Sequence, residues 1–156
     1  MKKATICLLC KGDNLLLGIK NRGPGAGKRN APGGKVKKRE TIKLAGKREI
    51  FEEAGIQIEE MALKLAALVR FYFENKFVFE SYVLLVKDFK GKVRDTEEMD
   101  NFQLYPFKNL PFDNMWAGDN LWMPLVLSGK TIEAVVVFNA DGTVVKDFSY
   151  KEVEFD

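Results

Sequence analysis

The strongest constraint on the fold is a helical segment with both ends marked, set among runs that favour strands. Residues 41–54 carry apolar Ile42, Ala45, Ile50 and Ala54 near one side, with Thr41 as an N-cap and Gly55 where a left-handed terminating residue belongs. Before it, residues 4–10 and 15–19 are apolar runs around Lys11-Gly12-Asp13-Asn14, which reads as strand, tight turn and strand. After it, residues 63–74 and 76–86 are long β-prone runs, and residues 112–127 mix aromatics and aliphatics at loosely helical spacing. Residues 132–138 and 144–150 close as a hairpin around Ala140-Asp141-Gly142. Strands, helix, strands, helix, hairpin: this order predicts an α/β fold, a central mixed sheet with helices against it, in one domain over residues 1–156.

Two segments break the pattern. Residues 21–38 are rich in Gly, Pro, Lys and Arg with almost no apolar periodicity, which predicts a long loop of the kind that carries function. Residues 87–101 are polar and hold a group of carboxylates. Histidine is absent, so an imidazole base, a Ser-His or Cys-His pair and a His-dependent zinc site are all excluded. Acid–base chemistry therefore falls to carboxylates, Lys, Tyr or metal-bound water. A net charge of +3 is that of an ordinary globular protein, not of a dedicated nucleic-acid binder, and no apolar run is long enough to span a membrane. Cys7 and Cys10 form a C-x-x-C, but at that spacing on a strand their side chains face opposite ways, which predicts two reduced, buried thiols. With no disulfide and no targeting signal, the expected location is cytoplasmic; a monomer is expected.

Glu49, Glu52 and Glu53 stand at i, i+3 and i+4 on the helix, within roughly 100° of one face. Alone, such a stripe is more often a solvated surface; the alternative is a hard-cation site for Mg²⁺ or Mn²⁺. The setting favours the alternative. Gly34, Glu40, Arg48, Glu49, Ile50, Glu52, Glu53, Gly55 and Ile56 follow the pattern G-x5-E-x7-R-E-U-x-E-E-x-G-U without a gap, where U is aliphatic. This resembles the Nudix box at every specified position. The resemblance implies an α/β/α sandwich and Mg²⁺-dependent hydrolysis (Mn²⁺ as a substitute) of a nucleoside diphosphate linked to another group. It implies metal ligation by Gly33, Glu49, Glu52 and Glu53, with Glu98 as a further ligand or alternative base. Arg48 would hold a carboxylate, Glu40 being a candidate, and Glu53 or Glu52 would serve as general base.

The similarity extends beyond the box and is strongest to the mammalian-type MutT homologues, hydrolases of oxidised purine nucleoside triphosphates such as 8-oxo-dGTP. The matching segments include residues 16–20, 25–27, 96–99, 110–116 and 122–125. By this resemblance the partner is a purine nucleoside triphosphate, with no stable nucleic-acid or membrane partner. Asn30 and Asp119 would read the purine edge, Trp116 would stack on it, Thr5 and Lys20 would line the pocket, and Phe71 and Phe73 would form an apolar wall. Three positions depart from those relatives: Gly118 replaces the first of two adjacent acids, Pro24 an aromatic and Arg29 a tryptophan. With one acid missing and Asp119 ionised at neutral pH, a sharper preference for the oxidised guanine type is expected, Asn30 donating to the guanine carbonyl. The other readings are a Nudix hydrolase of ADP-ribose, a dinucleoside polyphosphate or capped RNA, and a non-catalytic nucleotide-binding module, against which the complete carboxylate set argues.

Overall fold

Alternation along the first strand shows how the sheet is buried. β1 (Lys3–Lys11) sends Leu8 and Cys10 into one apolar cluster and Cys7 and Leu9 into another, so both faces are covered and the two cysteines do point opposite ways, free and buried. The computed structural model describes residues 2–155; Met1 and Asp156, the ends of the expected domain, lie outside the described residues. β2 (Asn14–Lys20) returns antiparallel to β1 through the turn at Gly12. β3 (Arg29–Asn30) pairs with β2, and β4 (Gly33–Lys35) pairs with β1. β5 (Lys64–Phe73) and β6 (Lys76–Val86) form the long hairpin, with β6 parallel to β1. β7 (Met99–Pro106) lies on β2, while β8 (Ile132–Phe138) runs parallel to β5 and antiparallel to β9 (Val145–Glu152). The strand order β3-β2-β1-β6-β5-β8-β9 is a mixed sheet.

One helix covers each face. α1 (Ile42–Ala54) places Ile50 and Ala54 with Cys7, Leu9 and Leu84, whereas α2 (Asp119–Leu127) places Trp122, Met123 and Val126 with Leu8, Val69 and Ile132. The result is the α/β/α sandwich. Both ends of α1 are as the sequence predicts: Thr41 Oγ1 accepts from the Leu44 N–H, and Gly55, at φ 72°, donates its N–H to Phe51 O. Gly46 brings α1 hard against the sheet, since a Cβ there would lie 2.5 Å from Leu84 Cδ1.

Three expectations are corrected. Residues 21–38 are not a single loop, because β3 and β4 are held within them by β2 and β1. Residues 99–106 form a strand, β7, which the sequence hides because only Met99 is fully buried and Asn101 interrupts it at φ 51°. The second helix starts only at Asp119: Phe112–Asn114 makes a separate 3-10 turn, and Gly118, at φ 96°, sits in the left-handed region at the helix entrance.

Candidate active site

The Gly33–Gly34 strand and α1 build the acidic end of the site. The Gly33 N–H donates to Glu53 Oε1 at 2.7 Å, and Glu53 is 6% exposed. Burial pushes its carboxyl up to about 7; the Gly33 N–H pulls the other way, Glu49 adds to the rise, Lys20 opposes it and Glu98 adds a little more. Glu49 lies against Gly34, where a Cβ would come within 2.9 Å of its carboxylate, and burial raises its pKa as well. Arg48 ties the cluster together. Its Nε and Nη2 donate to Glu40 at 2.7 and 2.9 Å, and its Nη1 donates to Glu49 at 2.7 Å and to Glu52 at 3.4 Å. Glu40, the candidate partner, is thus the main one; the Arg48 hydrogen bond holds its carboxyl at about 2. The outer two carboxylates are more open: Glu52 is 49% exposed in its side chain, and Glu98 pairs with Arg22 at 3.0 Å.

Hard oxygen donors of this kind suit Mg²⁺ or Mn²⁺. Hydrogen bonds within the protein engage one oxygen of Glu49 and one of Glu53, leaving the second oxygen of each for a cation. No three acidic or thiol side chains among the described residues already form a closed cage. Glu49 and Glu53, held against Gly34 and Gly33, offer the oxygen chemistry that a divalent ion takes, while Glu52 and Glu98 would have to move in to complete a set with them and the Gly33 carbonyl.

A cavity of about 530 Å³ joins this end to an apolar chamber under α2, being lined by Gly33, Gly34 and Glu53 and also by Asn30, Trp116 and Asp119. That volume is in the range of a small-molecule site. Asp119 is buried and accepts from Trp122 Nε1 at 3.3 Å. Burial pushes its carboxyl up to about 7, while Trp122, the Trp116 main chain and Lys28 pull it down. This corrects the expectation of a plainly ionised Asp119: near neutral pH the lone carboxyl is available as both acceptor and donor. Asn30 is corrected too. Its NH₂ group donates to the Gly25 and Lys28 carbonyls at 3.4 and 3.0 Å, so its carbonyl, an acceptor, is what remains for a ligand. Trp116 is braced edge-on by Gly25, where a Cβ would lie 2.8 Å from the indole nitrogen.

Lys20, Phe71 and Phe73 line the cavity as expected. Thr5 also borders it, but its hydroxyl is occupied by the main chain of Gly34 at 3.4 Å. Of the departures, Pro24 lines the cavity, while Arg29 is turned away, donating to the Asn101 carbonyl and lying 5.6 Å from the Tyr105 ring centre. A side chain at Gly118 would meet Val136 and Val145 at 3.2 Å, so an acid restored there is aimed at β8 and β9 and strained by the positive φ. Sequence reasoning missed Phe79, Phe138, Met99, Trp122 and Ser81 as lining residues. Phe138 is the keystone of the apolar wall, stacked on both Phe71 and Phe73 with centroids 6.0 and 5.2 Å apart. Alternation along β6 could have marked Phe79 and Ser81 as sharing one face.

Comparison with known proteins agrees with this geometry. Residues 1–126 match the NUDIX domain family. The chain is 33% identical over 146 residues to the oxidized purine nucleoside triphosphate hydrolase of Danio rerio, covering 93% of this chain and 92% of that one. It is 30% identical over 150 residues to the Mus musculus protein of the same name, covering 96% and 94%. In fold it is similar to the crystal structure of a mutator MutT protein from Bacillus halodurans, with a TM-score of 0.78, 20% identity and coverage of 97% and 98%. With the box carboxylates gathered by Arg48 against Gly33 and Gly34, and a family match over most of its length, the chain belongs to the Nudix family.

Proposed function

We propose that the protein catalyses Mg²⁺-dependent hydrolysis of oxidised purine nucleoside triphosphates, of the 8-oxo-dGTP kind, to the nucleoside monophosphate and pyrophosphate, so clearing them from the nucleotide pool. The observation that carries this reading is one cavity lined both by Glu53, with Gly33 and Gly34, and by the Trp116 indole and the buried Asp119 carboxyl. The names of the zebrafish and mouse relatives support it. When bound by Glu49, Glu52, Glu53, Gly33 and Glu98, Mg²⁺ supplies charge neutralisation for the triphosphate and Lewis acidity. Glu53 accepts the proton of the attacking water, with Glu52 as the more solvated alternative. Arg48 keeps Glu49 and Glu40 from drifting apart. Trp116 stacks on the base, and Asp119 with the Asn30 carbonyl reads its edge. Because Asp119 titrates near neutrality, oxidised adenine and oxidised guanine nucleotides are both expected to be accepted.

The test is a panel of normal and oxidised nucleoside triphosphates, ADP-ribose and a dinucleoside polyphosphate, ranked by kcat/KM with product analysis. Oxidised purine triphosphates should rank first, giving monophosphate and pyrophosphate, with no turnover in excess EDTA. A preference for ADP-ribose or the dinucleoside polyphosphate would overturn the substrate assignment, and EDTA-resistant turnover the metal dependence.

A further inference from the structure

Glu98, the outermost carboxylate of the acidic end, already has a partner. Its main chain is fixed beside Glu53, because the Thr96 hydroxyl donates to the Glu53 carbonyl at 2.9 Å and accepts from the Glu98 N–H at 3.2 Å. Its side chain is paired with Arg22, whose Nε lies 3.0 Å from Glu98 Oε1. The same guanidinium donates from Nη2 to Glu97 Oε2 at 3.1 Å, so one cation is shared between two adjacent carboxylates. All three side chains are open to solvent, which makes these contacts exchangeable. Arg22 also belongs to a loop that serves the other end of the cavity. The Asn21 N–H donates to the Glu98 carbonyl at 2.8 Å and its side chain donates to Asp100 at 3.3 Å, which fixes the start of the loop to the entrance of β7. Three residues beyond Arg22, Gly25 braces the Trp116 indole, and its carbonyl accepts from Asn30 Nδ2 at 3.4 Å.

We infer that Arg22 is a positioning residue that competes with the divalent cation for Glu98, while Glu97 keeps the loop anchored when Glu98 turns to the cation site. This rests on the metal-binding part of the reading above. A carboxylate neutralised by a guanidinium is a weaker ligand, and a guanidinium at that distance sets a second positive charge beside the ion. The pairing explains why Glu98 has to move before the donor set is complete. It also gives the doubled acid a purpose. With Glu98 alone, its departure would leave Arg22 unpaired and the loop tied only through Asn21; with Glu97 beside it, one carboxylate leaves and the other still holds. The loop that braces Trp116 and Asn30 therefore stays in place whether or not the cation is bound, and the strength of the Arg22–Glu98 pair sets how much free divalent ion the protein needs.

The experiment titrates the nucleotide-free protein with Mn²⁺ alone and reads free Mn²⁺ by electron paramagnetic resonance, for the wild type, Arg22→Met, Glu98→Gln and the double variant. Arg22→Met should bind Mn²⁺ about two- to fivefold more tightly than the wild type, the range that an exposed ion pair supplies. In the Glu98→Gln background the same substitution should change the affinity by a factor of about one, because the contact it relieves is already gone. That second comparison separates competition for Glu98 from the general effect of removing a positive charge, which would act in both backgrounds. Glu97→Gln, which leaves Glu98 as the remaining carboxylate on the guanidinium, should weaken Mn²⁺ binding. An Arg22→Met affinity equal to or below that of the wild type, a gain of the same size in both backgrounds, or unchanged or tighter binding by Glu97→Gln would overturn the assignment while leaving the cation site and the purine triphosphate reading standing. A wild type that binds no Mn²⁺ would overturn both the assignment and the metal-binding reading beneath it.

Discussion

Asp119→Asn is the perturbation with the clearest thermodynamic signature. The change keeps the size of the side chain and the oxygen that accepts from Trp122 Nε1, but removes the charge. Burial raises the Asp119 carboxyl from its ordinary 3.8 to about 7 in the folded protein. The folded state therefore holds this proton more tightly than the unfolded chain does, and Asp119 is least harmful to stability below its unfolded pKa. As pH rises through 4 and towards 7, the unfolded chain ionises freely while the folded one must either keep the proton or bury a charge. Stability due to this residue falls across that window and levels off above it. A difference of about three units corresponds to about 4 kcal/mol at most. Comparing variant and wild type at each pH cancels every other titrating group. Urea unfolding followed by the fluorescence of buried Trp122 should show Asp119→Asn gaining on the wild type by about 4 kcal/mol between pH 4 and pH 8. The gain should survive moderate salt, because the group is shielded from solvent. Stability curves that stay parallel across the range would refute the burial argument, and with it the dual donor and acceptor role.

Glu53→Gln should fold cooperatively and melt at or above the wild type at neutral pH, since it removes a buried carboxyl whose pKa burial has raised, yet lose about 10² to 10⁴ in kcat, read by pyrophosphate release; more than about a tenth of the activity remaining would contradict its role as proton acceptor. Arg48→Met should lower kcat by at least about tenfold by freeing Glu49 and Glu40. It should also destabilise the protein by about 1 to 3 kcal/mol at pH 7. Because Arg48 holds Glu40 at about 2, below its ordinary 4.5, that stabilisation is complete above pH 4.5 and disappears as pH falls towards 2. The stability gap between Arg48→Met and the wild type should therefore close in acid, as followed by circular dichroism. Gly33→Ala would set a Cβ 2.1 Å from the Thr5 carbonyl oxygen, so a loss of more than about 3 kcal/mol and of activity is expected; a stable, active variant would show that β4 can move away from β1.

Features that depend on near neighbours were legible in the sequence. Thr41 and Gly55 cap α1 as written, the C-x-x-C cysteines divide between the two faces, and the box residues converge, because caps, alternation and helical spacing are local geometry. Features that depend on what arrives from elsewhere were not. Glu52 and Glu53 are adjacent on one helical face, yet one is half exposed and the other buried beneath the Gly33 N–H, a difference made by β4. β7 escaped because its inward residues are few and it is recognisable mainly by its pairing with β2. The protonation of Asp119 follows from burial beside Trp122 and the turn at Trp116, and the direction of the Asn30 amide from two loop carbonyls.

The two helices sit on opposite sides of one sheet, and on the proposed function the carboxylates assigned to the chemistry belong to the α1 side while Trp116 and Asp119, assigned to the base, belong to the α2 side. For a lineage under selection this separates two problems. On that reading, replacing Asn30 or Asp119 would change which nucleotide is taken without touching the Arg48 network, so substrate range could drift separately from the chemistry. Gly33 is the exception. Its N–H holds Glu53, its bare Cα lies against Thr5 of β1, and it borders the cavity as well, so neither half of the enzyme can be redesigned through that position.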